Sequence, residues 1–287
     1  MELEGRSALV TGASQGIGES IALALARRGM RVYAGVRSVD DGERLAAAAG
    51  TITAVRLDIC EPSDVKAAAA RIEAEVGAAG LDVLVNNAGA LTLAPIEHVT
   101  LDELRHLFEV NVLGQVAVIQ ATLPLLRQAG GRIVNIGSDA AKFTLPLGGP
   151  YGASKAAFDI IGVALRREVR EQGVTVVAFQ PGSVTTRLWD RILADLRAGR
   201  STWSDHPSYR GFAAGVTAVA ARGRHKGQSP DAVAAAVLRL VAMRRPPVLQ
   251  RMGWDARVRS LTIDLLPTRM VDNMIIKRLT ARDTGSV

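Results

Sequence analysis

Tyr151 and Lys155 are residue types that can move a proton, and they stand four residues apart. They follow Gly148-Gly149-Pro150 and precede an apolar run, which predicts that both lie on one face at the start of a helix. A free tyrosine titrates near pH ~10, and a fixed ammonium nearby favours the phenolate and lowers that pKa. The pair could therefore pass a proton to or from a substrate oxygen. The alternative is a half-buried tyrosine beside a solvated lysine.

The composition fits one large domain or two small ones, with 287 residues of which 48% are hydrophobic and 4% aromatic. The single cysteine, Cys60, excludes an internal disulfide, provides no metal cluster and fits a reducing compartment. The first residues are charged and polar, so we expect no secretory signal. No uninterrupted apolar run of about 18 residues is present, so we expect no membrane-spanning helix. We expect a cytoplasmic protein without a metal site.

The net charge of +7 is scattered in pairs such as Arg27-Arg28 and Arg244-Arg245. A basic protein can meet nucleic acid, an anionic membrane or an anionic small ligand. No Lys/Arg-rich block with interleaved aromatic residues is present, so we do not expect nucleic-acid binding.

A glycine loop follows the first predicted strand, Ser7 to Thr11. It has the spacing Gly-x-x-x-Gly-x-Gly and leads into a helical pattern. Glycines let the backbone approach a pyrophosphate, and the free N–H groups of the helix start face it. The loop therefore predicts a dinucleotide site; its members are Gly12, Ser14, Gln15, Gly16, Ile17 and Gly18.

The second predicted strand, residues 31–35, ends near Arg37 and Ser38, with no acid before Asp40. An acid at this place would accept from the adenosine 2′-hydroxyl, whereas a base favours a 2′-phosphate. Arg37 can pair with a phosphate and Ser38 can donate to it, which favours NADP. A surface arginine is the alternative.

The next two predicted strands, 52–57 and 81–85, also end in polar or small residues. Asp58, before Ile59, could accept from the adenine amino group, or make a turn into the helix that Pro62 opens. Small residues beside asparagine suit a backbone pressed against the cofactor, with amides tying neighbouring strands together. These are Asn86, Asn87, Ala88 and Gly89.

A long helix is predicted from about Leu101 to Leu126, and Asn111 is locally unfavourable inside it. It is either a buried amide bonded to a neighbour or the mark of a helix interrupted to hold a water.

The second half of the predicted sheet contains two more strands. Strand five covers residues 131–136 and ends at Gly137-Ser138, and strand six covers residues 174–179. Between them, the helix that carries Tyr151 is expected to run to about Gln172. Pro181-Gly182-Ser183-Val184-Thr185-Thr186 follows strand six.

Strands alternating with helices predict an α/β fold: a doubly wound parallel sheet of about seven strands, the Rossmann fold, with helices on both faces. Ligands bind outside the carboxyl ends of such strands. The glycine loop, Asp58, Asn86, Ser138 and Pro181-Gly182 all fall at that edge.

Residues 1–250 are expected to form one catalytic domain, whose last, edge strand is 246–250. Within it, 187–229 is predicted to be a substrate cap in which Leu188 and Trp189 meet the substrate; ordinary amphipathic helices packed on the core are the alternative. Residues 251–287 are expected to be a helical extension, broken at Pro267, that covers the cleft, joins a partner subunit or rests on a membrane.

These motifs together resemble the short-chain dehydrogenase/reductase family over roughly residues 5 to 245: TGASQGIG at 11–18, NNAG at 86–89, Ser138, YGASK at 151–155 and PGSVTT at 181–186. The resemblance implies a Rossmann-type NAD(P)(H) oxidoreductase acting on an alcohol/carbonyl pair, usually as a homodimer or homotetramer. The longer tail resembles, more loosely, the hydroxysteroid- and retinol-dehydrogenase-like branch.

The resemblance also implies roles for the motif residues. Tyr151 would be the general acid/base, Ser138 would hold the substrate oxygen, and Lys155 would grip the nicotinamide ribose. Asn111 would hold the water linking Lys155 to solvent. Val184 and Thr186 would meet the carboxamide, and Asp58 the adenine.

We therefore expect a ketone reductase/alcohol dehydrogenase, with NADP(H) preferred and NAD(H) possible, acting on an apolar medium-to-bulky substrate such as a steroid, retinoid, terpenoid or polyketide. Two residues differ from the pattern of the family. Gln15 stands where NADP enzymes of the family often have a basic residue, and Asp139 is an additional acid directly after Ser138. A 3-ketoacyl-thioester reductase and a catalytically silent NADP-binding sensor are the alternatives.

Overall fold

Seven parallel strands form one sheet in the computed structural model, which describes residues 2–186, 189–190, 193–194, 203–204 and 206–280. The strands are β1 Ser7–Val10, β2 Arg31–Val36, β3 Ile52–Arg56, β4 Val83–Asn86, β5 Arg132–Ile136, β6 Thr175–Pro181 and β7 Leu249–Met252. Their order is β3-β2-β1-β4-β5-β6-β7, and every neighbouring pair is parallel. The chain crosses over between β3 and β4, so the ligand crevice of this sheet lies beside β1 and β4.

Helices cover both faces of this sheet and bury apolar side chains against it. The helices are α1 Gly16–Ala26, α2 Val39–Ala48, α3 Pro62–Val76, α4 Leu101–Phe108, α5 Gly114–Ala129, α6 Gly149–Glu168, α7 Arg210–Lys226, α8 Pro230–Ala242, α9 Trp254–Leu265 and α10 Thr268–Thr280. On one face, Leu25 of α1 and Val237 of α8 pack on the sheet. On the other face, Ile72 of α3, Leu126 of α5 and Phe158 of α6 do so.

Burial on both faces explains why the strands are nearly continuous apolar runs rather than alternating ones. In β1, Val10 packs in the α1 and α8 core, whereas its neighbour Leu9 packs in the α3, α5 and α6 core. The predicted doubly wound Rossmann fold is therefore confirmed.

Element ends differ from the predictions by a few residues. The helix expected to reach Gln172 ends at Glu168 and is followed by a short 3₁₀ helix, Arg170–Gln172. The predicted edge strand begins after its two prolines, at Leu249, because a proline cannot donate a backbone hydrogen bond to the sheet.

The helix predicted from Leu101 runs to Ala129 and is interrupted by a π-helical turn, Glu109–Leu113. This stretch has the length and composition of a membrane span: its most apolar 18-residue window has a mean hydropathy of 1.3, and half of that window is buried inside the fold. Core helices of globular domains have the same properties.

The C-terminal helices α9 and α10 are separated at Pro267, as predicted, and both contact the rest of the chain. Lys142 Nζ donates to Asp264 at 2.6 Å and to Ser260 at 3.1 Å, which ties α9 to the loop after β5. A Cβ on Gly215 of α7 would lie 2.6 Å from the carbonyl oxygen of Leu279, so α10 packs closely on α7. The division of the chain at residue 250 stays a prediction.

Candidate active site

A cavity of about 270 Å³ opens at the carboxyl edge of the sheet. It brings together residues from the glycine loop, the ends of β4, β5 and β6, and the start of α6. The predicted site residues that line it are Ile17, Asn87, Gly89, Ser138, Tyr151, Lys155, Pro181, Gly182, Val184, Thr186 and Trp189.

Tyr151 and Lys155 lie in the first two turns of α6, which begins at Gly149 with Pro150 in its first turn. Proline suits this place because its fixed φ fits the helix and its missing N–H would be unpaired there. Lys155 is buried, its Nζ lies 6.0 Å from the centre of the Tyr151 ring, and it donates to the Ile136 carbonyl at 3.1 Å. The pair therefore faces the end of β5, as the spacing predicted, and is not a solvated surface pair.

Burial dominates the titration of both groups. Burial raises the pKa of Tyr151 to about 12. A hydrogen bond with Ser138 lowers this pKa, whereas the charges of Asp139 and Asp159 raise it. Burial also lowers the pKa of Lys155 to about 8, which the charge of Asp159 opposes. The expected lowering of the tyrosine pKa by Lys155 is not seen in this arrangement, because burial raises that pKa and Lys155 is not among the influences on it. Tyr151 is a protonated phenol at neutral pH.

Ser138 follows β5 directly and begins a short 3₁₀ helix, Asp139–Ala141. Its Oγ accepts from the Ala140 N–H at 3.2 Å and donates to Asp139 at 3.5 Å. These contacts orient the hydroxyl toward the cavity wall that it shares with Tyr151.

Asn111 sits at the centre of the π-helical turn and is fully buried. Its Oδ1 accepts from the Ala90 N–H at 2.8 Å, and its Nδ2 donates to the Ala90 carbonyl and to Ser154 Oγ, both at 2.9 Å. The amide is bonded to its neighbours, and the helix is interrupted where it sits; the role of Asn111 in holding a water stays a prediction. The amide fixes the loop after β4 against α6.

The glycine loop packs too tightly for side chains. Gly12 has φ +62°, and a Cβ there would lie 2.9 Å from Ala88 Cα; on Gly18 it would lie 2.3 Å from the Gly12 carbonyl. Asn87 Nδ2 donates to the carbonyls of Thr11 at 2.9 Å and Gly12 at 3.1 Å, which ties β1 to β4 as expected.

The residues present fit a nicotinamide dinucleotide. Gln15 precedes α1 without a side-chain cap on the helix, so the first N–H groups of α1 keep their capacity to bind a phosphate. Gly16, at φ +60°, brings the backbone close to Thr186 across the same opening. Gly89 leaves room beside Asn111 and Lys155, where a Cβ would lie 3.6 Å from Nζ.

Arg37 and Ser38 follow β2 and are both exposed. Arg37 borders an opening that Ser14, Gln15, Gly16 and Thr186 also line. Arg44 of α2 lines it too, and it donates to the Ser14 carbonyl at 2.5 Å and pairs with Glu19. The sequence reasoning missed Arg44, because its reach to the glycine loop depends on how α2 packs.

Asp58 makes the turn that was the alternative to an adenine contact. Its Oδ1 accepts from the Cys60 N–H at 3.0 Å, and its carbonyl accepts from Glu61. Ile59 is buried, and a Cβ on Gly114 would lie 2.7 Å from its carbonyl oxygen. The adenine role of Asp58 stays a prediction.

The wall opposite Tyr151 is largely apolar. Trp189 lines the cavity and its Nε1 donates to the Val184 carbonyl at 3.0 Å, whereas Leu188 lies outside the described residues. Trp203, in the predicted cap, packs with Ala94 and Leu147 over this region. The sequence reasoning missed further lining residues in loops without a periodic pattern and in α7: Leu91, Leu93, Phe143, Leu145 and Val219.

Several known proteins are similar to this chain over nearly its full length. A reductase of Ornithobacterium rhinotracheale named NADPH-dependent 3-dehydrocapnine reductase is 32% identical, over 96% of this chain and 97% of its own. Rat 17-beta-hydroxysteroid dehydrogenase type 6 is 31% identical, over 95% and 88%. Mouse retinol dehydrogenase 7 is 29% identical, over 95% and 88%. The looser resemblance to the hydroxysteroid and retinol branch is thereby confirmed.

A solved structure shares the fold. A short-chain dehydrogenase from Burkholderia cenocepacia, in complex with NADP, superposes with a TM-score of 0.73 at 27% identity, covering 96% of this chain and 98% of that one. The family model for short chain dehydrogenases matches residues 6–197. The chain therefore belongs to the short-chain dehydrogenase family.

Proposed function

We propose that this oxidoreductase interconverts a ketone and a secondary alcohol on an apolar, medium-to-bulky substrate, with NADP(H) preferred over NAD(H). The observation that carries the proposal is the shared cavity wall of Ser138, Tyr151 and Lys155, at the sheet edge where the glycine loop also opens.

The chemistry assigned to these residues follows from their contacts. Ser138 and Tyr151 line the same cavity, and Ser138 is close enough to lower the Tyr151 pKa, so a substrate oxygen beside them could receive a bond from both hydroxyls. In reduction the Tyr151 phenol donates the proton to this oxygen, and in oxidation the phenolate accepts it. The bound nicotinamide supplies or accepts the hydride.

Lys155 and Asn111 are assigned supporting roles. Lys155 would hold the nicotinamide ribose through the donor hydrogens of its ammonium group. Asn111 would hold a water that connects Lys155 to solvent; its amide anchors the loop at Ala90, next to Gly89 and close to Lys155. Val184 and Thr186 would meet the carboxamide.

The substrate class rests on the cavity wall and the relatives. The cavity that holds the two hydroxyls is lined by apolar side chains, among them Phe143, Leu145, Trp189 and Val219, which suits a hydrophobic ketone. Relatives named for hydroxysteroid and retinol dehydrogenation support a bulky apolar substrate.

The cofactor preference rests on Arg37. It is an exposed cation after β2, at the opening that Ser14 and Gly16 share. A guanidinium there pairs with a 2′-phosphate. The relative named as NADPH-dependent and the related structure that holds NADP support this preference. A cytoplasmic location and a homodimer or homotetramer stay predictions.

The test is an NADPH-consumption screen over ketones of graded size, with NADH in parallel and Tyr151→Phe as the control protein. The proposal expects oxidation of NADPH with bulky apolar ketones and loss of that rate in the variant. Turnover of acyl-carrier thioesters but not free ketones would replace the proposal with a ketoacyl reductase. NADPH binding without turnover across the whole panel would replace it with a sensor.

A further inference from the structure

Asp159 is a buried carboxyl behind the catalytic pair that the mechanism above does not use. It follows Lys155 by four residues on α6, so Tyr151, Lys155 and Asp159 lie along one helix face, one turn apart. Among the described residues its Oδ1 is buried and has no hydrogen-bond partner, whereas its Oδ2 accepts from Gln180 Nε2 at 2.5 Å. A buried carboxylate oxygen without a donor is costly unless a nearby cation compensates it.

The neighbouring strands are built around this carboxyl. A Cβ on Gly137, directly after β5, would lie 2.8 Å from Asp159 Oδ1, so the glycine leaves the space that the carboxyl fills. Gln180 of β6 is buried, and its Oε1 accepts from Arg251 Nε of β7 at 3.1 Å. The amide therefore links a cation on the edge strand to the carboxyl.

Burial raises the pKa of Asp159 above its ordinary value, and three neighbours oppose this effect. The hydrogen bond from Gln180, the charge of Lys155 on α6 and the charge of Arg251 on β7 each lower that pKa and so favour the carboxylate. Burial lowers the pKa of Lys155 to about 8, and the charge of Asp159 opposes this effect by raising that pKa. Asp139, which lines the cavity, raises the pKa of Tyr151 and is not among the influences on Lys155.

We propose that Asp159 is a positioning residue whose carboxylate keeps Lys155 an ammonium, and that Gln180 and Arg251 keep that carboxylate oriented and charged. The inference rests on the proposed function for its consequence, because the ammonium, with its three donor hydrogens, is the form in which Lys155 would hold the nicotinamide ribose. It also places the edge strand β7 in electrostatic contact with the catalytic helix.

The direct test is an NMR titration of lysine ε-carbons in the folded protein. The chain has five lysines, Lys66, Lys142, Lys155, Lys226 and Lys277, so the spectrum is simple and Lys155→Arg assigns its signal. We expect Asp159→Asn to lower the Lys155 midpoint by about one pH unit, the usual effect of removing an adjacent opposite charge. Asp139→Asn, the same chemical change beside the same cavity, should leave it in place.

An unchanged Lys155 midpoint in folded Asp159→Asn would overturn the inference, and so would an equal shift in Asp139→Asn. Should Asp159→Asn fail to fold, Arg251→Met decides. It should lower the midpoint in the same direction by less, because it weakens the ionisation of Asp159, and no shift would overturn the inference. The titration needs no turnover, so it can succeed even where the proposed reaction fails.

Discussion

Replacing Asn111 with leucine tests how the π-helical turn holds the site together. Leucine has the same number and branching of side-chain heavy atoms, although its methyl groups are bulkier, and it makes none of the three hydrogen bonds of this amide. The Ala90 N–H and carbonyl lose their partner, whereas Ser154 keeps its bond to the Tyr151 carbonyl at 2.8 Å. A buried backbone group left unpaired costs about 1–3 kcal/mol; Ala90 is half-buried and lines the cavity, so each of its two groups should cost an amount in the lower part of that range. We expect Asn111→Leu to lower the free energy of unfolding by about 3 kcal/mol.

That loss is measurable by thermal melting followed by circular dichroism. Since 1 kcal/mol corresponds to about 2–4 °C in chains of this size, the Tm should fall by about 6–12 °C. The matched control is Gln115→Leu, four residues on, whose Nε2 donates to the Ala88 carbonyl and whose Oε1 is buried without a partner among the described residues. It loses one bond and also removes an unpaired oxygen, so its Tm should fall by less than half as much. A Tm for Asn111→Leu within about 2 °C of wild type, or no lower than that of Gln115→Leu, would refute the reasoning.

Two further predictions concern the cofactor and the pH profile. Arg37→Ala should raise the KM for NADPH by about 10- to 100-fold, since a hydrogen bond to a charged group contributes about 1.5–3 kcal/mol. The same variant should change the KM for NADH little. The control is Arg44→Ala, which should raise the KM for NADPH by less, because the Arg44 guanidinium is already paired with Glu19. Equal losses with both cofactors would contradict the 2′-phosphate role. Ser138→Ala removes the hydrogen bond that lowers the Tyr151 pKa. Because oxidation needs the phenolate, the rise of kcat/KM for alcohol oxidation should move to higher pH, and a shift to lower pH would refute this cause.

The sequence predicted those features that depend on local order along the chain. The glycine loop between β1 and α1 and the start of α6 at Gly149 are set by glycines, proline and apolar runs, so the placement of Tyr151 and Lys155 could be predicted. Tyr151 and Lys155 share a cavity with Ser138. This could be predicted because the carboxyl ends of parallel strands, one of which Ser138 follows, lie at the ligand-binding edge of the sheet.

Features that depend on packing between distant segments could not be predicted. Arg44 reaches the glycine loop, and Gln180 reaches both Asp159 and Arg251, only through the packing of α2 and the registers of β6 and β7. The balance of the Tyr151 pKa likewise depends on burial, which four-residue spacing does not reveal.

The central claim is that Tyr151 transfers the proton, and Tyr151→Phe tests it most directly. This change removes one hydroxyl from the cavity and leaves Lys155, Asn111 and the glycine loop in place. Steady-state kcat for a ketone found in the NADPH screen should be measured beside NADPH affinity by fluorescence titration. The account predicts that kcat falls by about 100-fold or more, the usual contribution of a positioned acid or base, while the Kd for NADPH stays within about twofold, about 0.4 kcal/mol. A kcat near that of the wild type, with NADPH bound normally, would contradict it.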